Sequence, residues 1–254
     1  MRSLGQERAR RWWVTGRRVR SVQRAGAFVD DVGFALLFPS SKLVVPSLWE
    51  AVAGEDAEPF ATGMDDNEQR VWAWKDDLPR LGLAWYGNLV GGRSSFLSPT
   101  MLRLLYAGAG EVDDHESAEL SPPAHEIAAA LMEEPLPSAT LRTLIGDRNR
   151  YQRAIVELQR RLLVTNAGVQ DHPTGWPSAL LDLTCRRFDV GGHADHAEAS
   201  QRFLATVLEA TPSELARAFR WPVAQALGCL EELAENGAAT RVGKAFRTSL
   251  DIRG

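Results

Sequence analysis

Apolar residues recur at helical spacing through the second half of the chain. In "DRNRYQRAIVELQRRLLV", Tyr151, Ile155, Leu158 and Leu162 stand at i, i+4, i+7 and i+11, one stripe that predicts a long helix. Before it, "HEIAAALMEEP" sets Ile127 and Leu131 four apart in a short helix halted at Pro135. "SATLRTLIG" predicts a second, with Ser138 as N-cap and Gly146 as stop. After the long helix, "LVTNAGVQDHPTGWPSALLDLT" offers two β-prone runs around a Gly/Pro-rich turn. Helix, short helix, longer helix and hairpin is the order of a winged helix. The order then recurs. "SQRFLATVLEA" is a helix, "TPSELARAF" a short one with Thr211 as N-cap and Pro212 at N1, and "PVAQALGCLEELAENG" a third with Val223, Leu227, Leu230 and Leu233 in register. "AATRVGKAFRTSL" closes the pattern as a hairpin turning at Gly243.

The first half is harder to read. "GAFVDDVGFALLFP" predicts a helix burying Phe28, Val32 and Ala35 and stopped by Pro39, and "VPSLWEAVAG" a short helix capped by Ser47. "VWAWKDD" alternates and predicts a strand. "LAWYGNLVGG" and "SPTMLRLLYAGAG" predict helices ended by glycines, the latter with Ser98 as cap and Pro99 at N1. The expected fold is α+β and mainly helical, with tandem winged-helix domains over residues 121–190 and 191–254. Residues 26–120 form an aromatic-rich mixed α/β region, open to being read as a third, modified winged helix.

Composition narrows the class. With 44% hydrophobic and 24% charged residues the chain has globular composition. It has no apolar run near the ~18 residues that span a bilayer and no secretory h-region. A soluble, cytoplasmic protein is expected, nucleoid-associated if its partner is DNA. Cys185 and Cys229 are too few for a disulfide framework or zinc site, and His193 and His196 in "HADHAE" lack the spacing and third ligand of a metal site. "GAGEVDDHE" has no P-loop lysine. No metal or cofactor is expected.

Charge is unevenly placed. Residues 1–25 carry eight arginines against Glu7, a net +7 in a chain of net −4, so the remainder carries −11. This segment is either a basic arm for a polyanion, solvated or disordered, or the product of an early start, with Val14, Val19 or Val22 the true one. Arginine outnumbers lysine 26 to 3, a bias that codon usage also explains. The two long C-terminal helices differ in the same way. Opposite its core stripe the first presents Asn149, Arg153 and Arg160, flanked by Arg148, Arg150 and Gln152, side chains suited to phosphates and base edges. Residues 137–165 hold a local +4. The second helix has no basic residue and shows Glu231, Glu232 and Glu235, which repel phosphate. The first unit would touch DNA and the second serve as scaffold or dimer surface, unless both are packing modules.

The succession "FVDDVGFALLFP", "PSLWEAVAG", "WAWKDDLP", "WYGNLVGGRSSFLSP" and "LLYA", followed by two winged helices, resembles the short AlkZ-related proteins over roughly residues 26–250. These are relatives of the AlkZ/YcaQ-type bacterial glycosylases that unhook DNA interstrand crosslinks. The resemblance implies tandem winged helices forming a concave surface for double-stranded DNA, and excision of alkylated bases without metal or cofactor. It also implies a Gln-x-Gln or Gln-x-Asp motif after a glycine. Here "FALLF" follows Gly33, with Leu36 and Phe38 at the best-matching positions, so that motif does not carry over.

Hydrolysis of an N-glycosidic bond needs a carboxylate beside a positioned water, and aromatic faces to hold a flipped base. A strand at "WAWKDDLP" would put Trp72 and Trp74 on one side, return Asp76 towards them and send Lys75 to the opposite face as a phosphate contact. Phe38, Trp49 and Tyr86 complete the expected base pocket. Asp76, Asp77 and Glu50 are the candidate catalytic carboxylates. Arg93, in "LVGGR", is a further candidate for phosphate or a plain helix end. In the plainer alternative Trp72 and Trp74 are core, and Asp77 caps the helix ahead of Pro79. The functional expectation is a DNA-binding protein acting on damaged or modified bases, or else a non-catalytic tandem winged-helix regulator or scaffold.

Overall fold

A computed structural model describes the protein over residues 3–54, 58–61, 63–170 and 177–249. One succession of elements, helix, short strand, helix, helix and hairpin, builds the chain three times. The first unit comprises α1 (Leu4–Arg11), α2 (Val22–Val32), β1 (Phe34–Leu36), α3 (Leu48–Ala53), α4 (Asp66–Arg80), β2 (Trp85–Asn88), β3 (Ser94–Leu97) and α5 (Pro99–Leu105). The second comprises α6 (Pro122–Ala130), β4 (Leu136–Pro137), α7 (Ser138–Ile145), α8 (Arg148–Arg160), β5 (Val164–Gln170), β6 (Ser178–Leu183) and α9 (Thr184–Arg187). The third comprises α10 (His196–Val207), β7 (Glu209–Ala210), α11 (Pro212–Phe219), α12 (Val223–Glu235), β8 (Ala239–Val242) and β9 (Ala245–Thr248). In each unit the last strand takes the centre of a three-stranded antiparallel sheet: β1-β3-β2, β4-β6-β5 and β7-β9-β8. The architecture is α+β, helices with small antiparallel sheets.

The C-terminal elements expected from helical spacing are present. Thr211 caps α11 in a reciprocal box with Glu214, and Pro212 sits at its first position. Gly146, left-handed at φ 73°, ends α7. The Gly/Pro-rich turn expected between β5 and β6 lies largely at 171–176, outside the described residues.

The first half departs from expectation in four places. The helix expected over 26–39 ends at Val32. Gly33 takes φ 79°, and the next residues pair as strand β1, Phe34 with Leu97, Ala35 with Phe96 and Leu36 with Ser95. "VWAWKDD" is helical rather than extended. Asp65 and Glu68 form a capping box at the start of α4, and Val71, Trp74 and Leu78 bury at i, i+3 and i+7. The apparent alternation is a short window of that helical stripe. "LAWYGNLVGG" is strand β2 and a 3-10 turn instead of a helix. A Cβ at Gly87 would lie 2.4 Å from the Trp85 ring, so only glycine lets that indole fold along the strand. Finally, α5 ends at Leu105, ahead of the glycines expected to stop it.

The basic N-terminal segment is packed, contrary to the disordered-arm reading. Ser3 caps α1, Arg8 donates from Nε to the Val207 carbonyl (2.8 Å) and from Nη2 to that of Glu209 (2.9 Å), and Trp12 Nε1 donates to Thr206 O (2.8 Å). Of its arginines, Arg8 serves the third unit's backbone and Arg11 pairs with Asp31 of α2.

Two cores hold the fold. One runs through all three units, where Phe34 stacks on Phe203 (5.4 Å) and meets Phe219 edge-on (5.8 Å). The other, around Phe28, Trp49, Trp74 and Phe96, belongs to the first unit.

Candidate nucleic-acid interface

Helix α8 is positioned by its buried side. Asp147 caps it by accepting from Arg150 N (2.7 Å), while Tyr151, Ala154, Ile155 and Leu158 turn inward. Gln159, also buried, accepts from both the backbone N (3.0 Å) and Nδ2 (2.7 Å) of Asn88, which ties the helix end to β2. The remaining positions face solvent: Arg148, Asn149, Arg150, Gln152, Arg153 and Arg160 are all exposed. Among the described residues none of these four arginines forms an ion pair. Arginines elsewhere do form ion pairs: Arg11 with Asp31, Arg80 with Asp77, Arg103 with Asp189, Arg186 and Arg187 with Asp182, Arg202 with Glu198, Arg241 with Glu231 and Arg247 with Glu209. A row of bare guanidinium groups is suited to an external polyanion. Burial and the neighbouring Arg220 both lower the proton affinity of Arg160, against a smaller opposing pull from Glu157.

A polar seam joins the first unit to the second beside this face. Trp85 Nε1 donates to Thr184 Oγ1 (3.2 Å). Thr165 Oγ1 accepts from Tyr86 N and donates to Tyr86 O (both 3.2 Å). Asn166, buried after the strand position of Thr165, donates from Nδ2 to Asp76 Oδ1, while Lys75 Nζ lies 2.6 Å from Asp76 Oδ2. Trp85, Tyr86 and Asn88 of β2 therefore each make a hydrogen bond to the second unit. Asn166 was not singled out by the sequence; only the bulge that follows it, around Gly168, sets it apart.

The expected base pocket is not brought together. On a helix, positions 72 and 74 point about 200° apart, so Trp72 is 47% exposed and Trp74 only 6%. The shared tryptophan wall is replaced by one core residue and one surface residue. Lys75, expected on the opposite face, lies over the Trp72 ring at 5.1 Å. Trp49 is core, with Phe38 against it (5.9 Å) and against Phe60 (4.9 Å). Tyr86 packs on Phe96 (5.1 Å). Burial raises the affinity of its phenol for the proton, and Asp76 adds to that effect while Ser94 opposes it.

The three carboxylates differ. Asp76 is held in the seam by Lys75 and Asn166. Asp77 caps nothing and instead pairs with Arg80 one turn on (2.8 Å). Glu50 accepts from Ser47 Oγ (2.6 Å) at the start of α3, and burial raises its affinity for the proton against the opposing Ser47 hydrogen bonds. Leu36 is fully buried in β1. Arg93 is exposed at the exit of the 3-10 turn Val90–Gly92, so it ends a turn rather than a helix. No group of three or more His, Cys, Asp or Glu residues suited to a metal ion occurs among the described residues. No helix there is long and apolar enough to cross a membrane.

Comparison with known proteins gives a family and a fold. A sequence model of the family described as AlkZ related matches residues 19–221. Among curated proteins none matches. Among solved structures, the Streptomyces sahachiroi DNA glycosylase AlkZ superposes with a TM-score of 0.59 at 15% identity, covering 98% of this chain and 71% of that one, a likeness of fold.

Proposed function

The chain belongs to the AlkZ-related family, and from that premise we propose that it is a DNA-binding protein of DNA repair that docks duplex DNA on α8. We read each of its three units as a winged helix, with α8 the recognition helix and α12 a scaffold. One observation carries the proposal: the outer face of α8 exposes Arg148, Arg150, Arg153 and Arg160, none of them in an ion pair among the described residues. Arg148 and Arg150 sit at the end of the helix whose dipole also favours anions. Asn149 and Gln152 stand among them as the side chains able to reach base edges. The docked DNA would be damaged or modified, as befits relatives of a DNA glycosylase.

Any excision would fall to Asp76. It is the candidate carboxylate placed between the first two units, next to a phenol and a lysine. Lys75 and Asn166 would hold it oriented towards positive charge developing on a deoxyribose. A second reading, binding without excision, is favoured by the buried Leu36 and the core-packed Phe38 at the positions where the resemblance implies glutamines.

The test is a titration of duplex DNA against salt together with an excision assay. Four phosphate contacts predict that log K falls with log salt at a slope of about −3.6. Alkali-dependent cleavage of an N7-alkylguanine duplex, lost in Asp76→Asn, supports the glycosylase. Tight, salt-steep binding without cleavage supports the second reading. A flat salt dependence refutes docking on α8.

A further inference from the structure

Three arginines, one from each unit, are placed around the β2–β3 turn, where the units join. Gln159, fixed to Asn88 by two hydrogen bonds, seats the C-terminal end of α8 on β2 and delivers Arg160 beside the β2–β3 turn. From the third unit, Arg220 reaches the same turn: a Cβ on Gly92 would lie 2.6 Å from its Nη1. Gly92 has φ 72°, a left-handed backbone that favours glycine, and the missing side chain leaves room for the Arg220 guanidinium. Arg93 follows directly, exposed. Among the described residues none of the three forms an ion pair. The nearest acid on α8, Glu157, is already engaged by the backbone N (2.8 Å) and Oγ (2.5 Å) of Ser121.

Arg220 is also unusual in its backbone. It closes α11 at φ 61°, ψ 33°, a left-handed cap where glycine or asparagine is the ordinary choice. An arginine there accepts local strain and lies within electrostatic reach of Arg160, whose proton affinity it lowers; two cations so placed repel until an anion lies between them. The outward row of α8, Asn149, Arg153, Val156 and Arg160, leads to this spot. It spans about 17 Å of helix, about five base-pair steps at 3.4 Å.

We propose that the β2–β3 turn is a phosphate clamp, in which Arg160 and Arg220, flanked by Arg93, bind one backbone phosphodiester of the duplex lying along α8. The proposal rests on the DNA reading above for its ligand, but the clamp itself is a site for a phosphate group. It makes the DNA track a property of all three units, since no single unit supplies more than one of its arginines.

Arg220→Gly separates the clamp from the fold, because glycine suits the left-handed cap and removes only the guanidinium. The variant is expected to melt at or above the temperature of the full-length wild type. It should bind duplex DNA about tenfold more weakly, with a salt slope shallower by at most about 0.9, since Arg160 stays on the same phosphate. Inorganic pyrophosphate should raise the melting temperature of the wild type and of an Arg202→Ala control, but not of Arg220→Gly. Unchanged DNA affinity and slope in Arg220→Gly overturns the clamp and leaves docking on α8 standing. If the wild type ignores duplex DNA yet is stabilised by pyrophosphate through Arg220, the clamp stands and the DNA reading fails. Absence of both effects removes both.

Discussion

Helices α8 and α12 occupy the same place in successive units, each 13 residues long and each followed by a hairpin. Their inner faces follow one rule: Tyr151, Ile155 and Leu158 in one and Ala226, Leu230 and Leu233 in the other bury at helical spacing. Their outer faces are opposites. α8 shows unpaired arginines, while α12 shows Glu231, Glu232 and Glu235, with Glu231 already facing Arg241 at 3.8 Å. The scaffold therefore fixes where a helix lies, and its solvent-facing residues alone decide what it meets. Repetition of a fold does not imply repetition of a function.

The comparison breaks most directly by exchanging charge. Arg150→Glu with Arg153→Glu is expected to weaken duplex binding by about 100-fold at moderate salt, through loss of attraction and gain of repulsion. Glu231→Arg with Glu232→Arg should change it by no more than about threefold, in the direction of tighter non-specific binding. Titration by fluorescence anisotropy reads both; equal losses in the two variants would remove the asymmetry.

The two faces also depend on how the units are held. Asp114 accepts from Tyr106 Oη (2.6 Å) and from the backbone N of Ala109 (2.8 Å), Gly110 (2.9 Å) and Glu111 (3.2 Å). Gly110 and Gly191 then interlock, since a Cβ on Gly110 would fall 2.1 Å from Val190 O. Burial raises the Asp114 affinity for the proton, but the four hydrogen bonds outweigh it and lower the pKa below the ordinary carboxylate value. Asp114→Asn should cost about 2 kcal/mol, as loss of a charge-assisted hydrogen-bond set. Because the folded pKa is depressed, this contribution is present above the unfolded carboxylate pKa and is lost as pH falls through the folded one. Chemical denaturation at neutral and acid pH should show the gap between wild type and variant closing in acid. A gap that persists there would mean that Asp114 acts through shape alone.

Single truncations sharpen the picture. Arg153→Ala should weaken DNA binding about fivefold and reduce the salt slope by about 0.9. Asp76→Asn should leave duplex affinity within about twofold while abolishing any base excision, which separates docking on α8 from chemistry in the seam. A large loss of affinity in Asp76→Asn would place that carboxylate in binding instead.

The C-terminal units were legible because their apolar residues recur over whole helices, and Thr211, Pro212, Gly146 and Gly243 punctuate them with ordinary capping and turn chemistry. The bare arginines of α8 were legible for the same reason: helical spacing separates them from the core stripe. The first half misled because its signals are short. The seven residues 71–77 match both a strand and a helix, and only the capping box of Asp65 and Glu68, four to seven residues upstream of Trp72, decides between them. Gly33 stops α2 inside what looks like one apolar run. Asn166 and Arg220 were invisible for another reason. Their partners, Asp76 and Gly92, are more than eighty residues away, and no local pattern announces a seam between units.

Amide hydrogen exchange of the full chain, with and without duplex DNA, tests the central claim most directly. Binding should slow exchange over 148–160 and across the turn at 88–93, and leave 223–235 unchanged. Protection over 223–235 with none over 148–160 would contradict it, and would make the acidic third unit the surface that meets DNA.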